Sequence, residues 1–203
     1  MTDSQITAAY DARAAEYIAL AGELEQMEAP DIELIGRWRD GTSGPLLDAG
    51  CGPGLWTAFL HDGGREVRGI DLSEEFIAAA RLRHPGIEFQ VGSFRELPFA
   101  DASFGGLLAW YSLIHTPPED LTGILAEFAR VLAPGGSILI GFFDGEPRLP
   151  FAHAVAPAYY WDAASLTALL DAAGLTVTAS DRRDRAPGAI STRPHGSVTA
   201  IRR

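Results

Sequence analysis

The chain predicts an α/β fold, a mostly parallel sheet between layers of helices, and three observations carry that reading. Short apolar runs alternate with helical stretches from Leu46 onward. A turn holding Gly50, Gly52 and Gly54 follows the first run directly. The composition, 47% hydrophobic and 21% charged over 203 residues, is that of a packed globule, and regular strand–helix alternation implies parallel pairing with helical crossovers.

The segment 5–37 reads as helical, with Ile6, Ala9, Tyr10, Arg13, Ala14 and Tyr17 at three-to-four spacing and then Ile32, Leu34, Ile35 and Trp38; Pro30 is expected to break it. The cluster 40–45 is a turn, and it separates this leader from the body of the fold. Strands are expected near 46–48, 67–71, 87–91, 105–110 and 137–143, with helices at 55–61, 73–83 and 118–132, the last ending at Pro134-Gly135-Gly136. An irregular connection then runs to Tyr160, followed by a helix over 162–173 stopped by Gly174, a strand over 175–179 and a last strand over 197–201. The stretch 181–194, with Pro187-Gly188 and the arginines Arg182, Arg183 and Arg185, has the composition of a solvated surface loop. These elements are expected to form a single domain: a helical cover over 1–40, a ligand-binding core over 41–143 and a substrate-side portion over 144–203.

Charge narrows the partners. Asp and Glu outnumber Arg 27 to 16, no lysine occurs, and the net charge is -11. Such a balance gives no general attraction for phosphate backbones or anionic membranes, so a small-molecule substrate is expected, with neither nucleic acid nor membrane as partner. No apolar run approaches the roughly 18 residues of a membrane span, and the first residues lack signal-peptide character, so a cytoplasmic location is expected. The single cysteine, Cys51, cannot form an intrachain disulfide, and the histidines and carboxylates show no metal-ligand spacing, so no metal is expected.

The glycine turn is the first chemical signal. Glycines at alternate positions let backbone approach a ligand, and a helix N-terminus beyond a strand end favours an anionic group there. Asp71, about 20 residues later at the end of the second strand, can accept from both hydroxyls of a ribose. Together they imply an adenosine-containing cofactor. They leave open whether it is a nicotinamide dinucleotide or S-adenosylmethionine, and a cap ahead of Ser73 is the plainer role for Asp71.

Four stretches, 46–54, 67–71, 91–99 and 130–143, together resemble the class I S-adenosylmethionine-dependent methyltransferases of small molecules. In that family the first loop reads acidic-x-Gly-x-Gly-x-Gly, as do Asp48, Gly50, Gly52 and Gly54 here, whereas dinucleotide sites favour Gly-x-Gly-x-x-Gly. The resemblance implies a Rossmann-like sheet of seven strands, the last antiparallel. It implies that S-adenosylmethionine, leaving as S-adenosylhomocysteine, lies with its methionine end along Gly50, Cys51 and Gly52, Asp48 ordering the amino group. Asp71, with its neighbour Leu72, would hold the ribose. Gly92, Ser93 and Phe94 resemble the adenine loop, although Ser93 stands where many members carry Asp.

Trp110 and Tyr111, in the run 110–115, resemble the segment beneath the transferable methyl, so both are catalytic candidates, and Trp110 is also a cofactor contact. The run 10–17 resembles a helix laid across the cofactor, with Tyr10 and Tyr17 on one face; packing onto the sheet is the plainer role. His115 is the candidate general base, or else orders the loop before the next helix; His153 and Asp144 are lesser candidates. Cys51 lacks an activating base and reads as a small, cofactor-contacting filler. The function implied is in-line methyl transfer to a small-molecule acceptor, resting more on placement than on proton transfer. The rivals are a nicotinamide-dependent oxidoreductase and a non-catalytic cofactor-binding regulator.

Overall fold

The computed structural model describes residues 3–21, 23–62, 64–184 and 192–203. Two short helices, α1 (Asp3–Asp11) and α2 (Ala14–Ala21), precede α3 (Ala29–Gly41). Pro30 sits in the first turn of α3, so it starts that helix and does not break a continuous one, α2 having already ended at Ala21; at that position the missing N–H has no intrahelical partner to lose. The body follows as β1 (Leu46–Ala49), α4 (Leu55–His61), β2 (Val67–Asp71), α5 (Glu74–Arg83), β3 (Glu88–Val91) and β4 (Phe104–Trp110). It continues with α6 (Leu121–Val131), β5 (Leu132–Phe143), β6 (Pro150–Phe151), β7 (Ala158–Tyr159), α7 (Ala163–Ala172), β8 (Leu175–Arg183) and β9 (His195–Arg202).

The main sheet has seven strands in the order β3-β2-β1-β4-β5-β9-β8, and β6 pairs β7 in a separate ladder. All pairs from β3 through β5 are parallel, and β9 runs antiparallel to both β5 and β8. The strand order reverses at β1/β4, the place where open α/β sheets bind ligands beyond their carboxyl ends. Because β9 is reversed, its first residue, His195, lies at that same edge, opposite Phe143.

Burial on both faces explains the apolar runs. Leu47, Leu107 and Ile138 enter a core beneath α6 and α7, whereas Leu46, Leu108 and Leu139 enter a second core with Ile35 and Trp38 of α3 and Leu60 of α4; neighbouring strand residues point to opposite faces. Helix α6 presents Leu121, Ile124, Leu125 and Phe128, a three-to-four stripe, to the first core. That helix ends at Val131 and not at the Pro134 cluster, because Leu132 already pairs with Phe104 and the turn residues form an irregularity at the start of β5.

The polar hairpin departs most from the sequence reading. Strands β8 and β9 pair as far as Arg183 with His195. Arg182, still exposed, meets Asp144 at 2.6 Å, and Arg183 pairs with buried Asp31 of α3, so both are ion-paired strand residues, not loop cations; Arg185 lies outside the described residues. Helix α5 is capped by Ser73, whose hydroxyl oxygen accepts from Phe76 N at 3.1 Å and whose proton goes to Asp11 of α1. Ser73→Ala is therefore expected to cost about 1 kcal/mol of stability, read from urea unfolding midpoints.

Candidate active site

The glycine turn is held by its own backbone. Gly50 N and Cys51 N both donate to Ile70 O, at 2.8 and 3.0 Å, and Gly54 N donates to Cys51 O at 3.1 Å. Gly52 N donates to Asp71 Oδ2 at 2.9 Å, while Asp71 Oδ1 accepts from Ser73 N at 2.9 Å. The loop expected to offer its N–H groups to an anion has spent these four inside the protein. That geometry disfavours a pyrophosphate and leaves Asp71 as the polar feature at the strand ends. Its two oxygens retain lone pairs for further donors. Burial raises the Asp71 pKa, and backbone donation from Ser73, Gly52 and Leu72 opposes that rise.

Gly50 has φ +80, and a Cβ there would stand 2.3 Å from Ser112 Cβ, so only glycine permits the loops after β1 and β4 to touch. Gly52, at φ +53, has open space where its side chain would be. Asp48 lies behind the loop, 2% exposed, accepting from Thr57 Oγ1 at 2.7 Å; burial pushes its pKa up to about 7.

One cavity gathers most of the residues the sequence singled out. Gly50, Gly52, Asp71 and Leu72 form one side of it, Phe94, Trp110, Tyr111 and His115 another, and Tyr10 and Tyr17 close it. Four residues do not line it. Asp48 is behind the turn, and Cys51 turns its thiol into a cluster with Ile77, Ala80 and Phe89, away from the cavity lining. Gly92 packs against Ile70, and Ser93 accepts from Arg95 N at 3.1 Å.

Tyr111 ends β4 in the left-handed region, φ +55, an uncommon conformation for a bulky residue that costs of order 1–3 kcal/mol. The turn carries its hydroxyl to Nδ1 of His195, with which it hydrogen-bonds. Trp110 is mainly a core ring, against Trp56 and His195, with an edge on the cavity. Beside them, Ser112 Oγ is buried with no hydrogen-bond partner among the described residues.

His115 has a defined protonation pattern. Its Nδ1 lies 2.8 Å from Pro157 O, which can only accept, so Nδ1 carries the proton and Nε2 the lone pair. Tyr10 OH donates to that Nε2 at 2.9 Å. Burial lowers the His115 pKa, which the Pro157 bond partly offsets, and the ring is neutral near pH 7. The His153 ring stands edge-on to it at 5.1 Å; burial, then the charges of His115, Arg193 and Arg13, push its pKa down to about 4. Asp144 is taken up by Arg182.

Tyr10 is wedged between Tyr17 at 6.0 Å and Phe76 at 5.7 Å, so α1 lies across the cavity. The remaining space, about 100 Å³, is below the roughly 300 Å³ of small-molecule sites, so a nucleoside is admitted only as these rings swing aside. Sequence reasoning missed Phe76, Ser112 and His195. None of the three is marked by local sequence spacing. Among the described residues, no group of three His, Cys, Asp or Glu is placed to hold a metal ion, and no helix is long and apolar enough to cross a membrane.

A parallel sheet with a reversed β9, and an acidic ribose-type residue beside a glycine turn whose amides are internally bonded, define the class I S-adenosylmethionine-dependent methyltransferase arrangement. Comparison with known proteins agrees: residues 46–136 match the family model described as a methyltransferase domain. A malonyl-[acyl-carrier protein] O-methyltransferase of Erwinia billingiae is 35% identical over 141 residues, covering 70% of this chain and 54% of the relative. A demethylmenaquinone methyltransferase of Chlorobaculum parvum is 40% identical over 106 residues, covering 52% of this chain and 42% of the relative. The 1,6-didemethyltoxoflavin-N1-methyltransferase of Burkholderia thailandensis, solved with 1,6-didemethyltoxoflavin and S-adenosylhomocysteine, has a TM-score of 0.76 at 24% identity, covering 100% of this chain and 91% of that one. The [4+2]-cyclase SpnF has a TM-score of 0.83 at 19% identity, covering 100% and 97%. These likenesses support a class I S-adenosylmethionine-dependent methyltransferase, with the methyltransferase domain matched over residues 46–136. It spans about half the length of the curated relatives it matches.

Proposed function

We propose that the chain transfers the methyl group of S-adenosylmethionine to a small, neutral acceptor. The observation that carries this is the single cavity that joins Asp71 to the His115–Tyr10 pair, a ribose-type carboxylate at one side and polar, aromatic groups at the other. The residues present fit the cofactor. Gly52 leaves open space, Ser112 Oγ is an unmet buried polar group, and Asp71 has lone pairs to spare. When bound, the cofactor supplies an electrophilic methyl on a sulfonium, whose departure as a thioether asks for no proton.

The chain's own residues then divide the work. Asp71 and Leu72 hold the ribose, and Phe94 flanks the adenine, with Gly92 and Ser93 shaping its loop. The Gly50–Gly52 backbone meets the methionine end, and Asp48 acts on its ammonium from behind the turn. Trp110, Tyr111 and His115 place the acceptor, while Tyr10 and Tyr17 of the 1–40 cover exclude water. Alignment of this kind contributes up to about 7–11 kcal/mol. Among the described residues lining the cavity Arg95 is the one arginine, and it pairs with Asp120 at 3.0 Å; a carboxylate acceptor meets no uncommitted cation among them. The net charge of -11 likewise opposes polyanionic partners, nucleic acid among them.

Calorimetry with S-adenosylmethionine and with NADH, followed by a labelled-methyl acceptor screen, tests the reading. Binding of the first and not the second is expected. NADH binding alone would favour the oxidoreductase reading, and cofactor binding with no acceptor would favour a regulatory subunit.

A further inference from the structure

The Tyr10–His115 contact says more than that α1 is closed. The cavity already seats a phenol hydroxyl on a histidine nitrogen, 2.9 Å apart, and that phenol must move before ligands are admitted. We propose that His115 is the general base for a phenolic or enolic acceptor, whose hydroxyl takes the place of the Tyr10 hydroxyl on Nε2, so that the chain is an O-methyltransferase of hydroxylated planar compounds. This rests on the methyl-transfer reading above.

The surroundings fit such an acceptor. Rings of Tyr10, Tyr17, Phe76 and Phe94 line the space, and His153 backs His115 with Phe143 and Phe151 beyond it; apolar, flat walls suit an aryl ring. Three groups face the imidazole: Tyr10 from α1, His153 and the Pro157 carbonyl from the connection after β5, with Arg13 and Arg193 beyond His153. Pro157 fixes the tautomer that a base requires and keeps its bond to Nδ1–H once the ring is charged.

The step balances. The acceptor O–H proton passes to His115 Nε2, an oxygen lone pair forms the new O–CH₃ bond, the S–CH₃ bond breaks, and its electron pair stays on sulfur. The proton leaves His115 for solvent after product release. Since burial weakens His115 as a base, acidic hydroxyls are matched to it and aliphatic alcohols are not.

The probe is 4-nitrophenol with labelled S-adenosylmethionine, and cyclohexanol is the comparison. Transfer to 4-nitrophenol and none to cyclohexanol is expected. His115→Gln should lower kcat about 10²-fold or more and remove from the kcat profile an ionisation on the acid side of the ordinary imidazole value, with S-adenosylhomocysteine affinity within about threefold of wild type. Nitrogen-15 NMR of the wild-type S-adenosylhomocysteine complex should show His115 protonated on Nδ1 and bare on Nε2, a readout independent of whether the variant folds. Cofactor binding without transfer to 4-nitrophenol, an Nε2–H tautomer, or a His115→Gln variant that keeps the ionisation overturns the inference. Failure to bind S-adenosylhomocysteine at all would instead overturn the methyl-transfer reading beneath it.

Discussion

Asp71→Ala should weaken S-adenosylmethionine binding about 100-fold, the largest loss expected from any single change at the cofactor side. A buried carboxylate accepting from ribose hydroxyls contributes about 1.5–3 kcal/mol through charge-assisted bonds, and about 2.7 kcal/mol is a hundredfold in Kd. The change also frees Gly52 N and Ser73 N, both now bonded to this side chain at 2.9 Å, so the glycine turn loses its tie to β2. Asp71→Asn separates the two effects. It keeps an acceptor oxygen for one backbone donor but drops the charge, and an intermediate loss of about tenfold is expected. Titration calorimetry on folded variants decides the matter. An unchanged affinity in Asp71→Ala would remove Asp71 from the cofactor site and with it the assignment of the turn.

The parallel strands were legible because burial on both faces writes them as apolar runs, Leu46-Leu47 and Leu107-Leu108 being clear cases. Strand β8 was read short because, beyond Val177, most of its residues face solvent on the outer strand of the sheet, and polarity there looks like a loop. The start of β5 was read late for a related reason: proline and glycine punctuate chains, but the pairing of Leu132 with Phe104 had already begun the strand.

Site residues divide in the same way. Asp71 and the glycines announce themselves through local spacing. The donation of Gly50 N and Cys51 N to Ile70 O depends on the β1–β2 register, which a sequence does not display. Ser112 is visible only through the close approach of Gly50, and His195 only through its bond to Tyr111 across 84 positions. The His115 tautomer depends on a carbonyl 42 positions away. The bond that anchors this imidazole to Pro157 also leaves Nε2 as its acceptor, so anchoring is compatible with the proposed role as base.

Asp48→Asn should raise the stability of the ligand-free protein at pH 8 while lowering its affinity for S-adenosylmethionine, a pairing that a purely structural residue would not show. Burial is the main cause of the Asp48 pKa near 7; Thr57 donation opposes it and the Asp71 charge adds to it. The folded protein therefore holds this proton more tightly than the unfolded chain does. Stability from the protonated form is fully present below the ordinary value of 3.8 and is lost as pH rises through about 7. At pH 8 the buried charge costs on the order of 4 kcal/mol. Asparagine removes that charge and keeps an oxygen for Thr57 Oγ1, so urea unfolding should show the variant more stable by up to about 4 kcal/mol at pH 8, with the gap shrinking toward about pH 5. The same charge is what a methionine ammonium would meet behind the glycine turn, and its loss should weaken binding by about tenfold at pH 8. In the wild type, binding should accordingly release a proton near pH 7, measurable as a dependence of calorimetric heat on buffer ionisation enthalpy. A variant that gains stability yet binds the cofactor as wild type does would show that Asp48 shapes the turn without taking part in recognition.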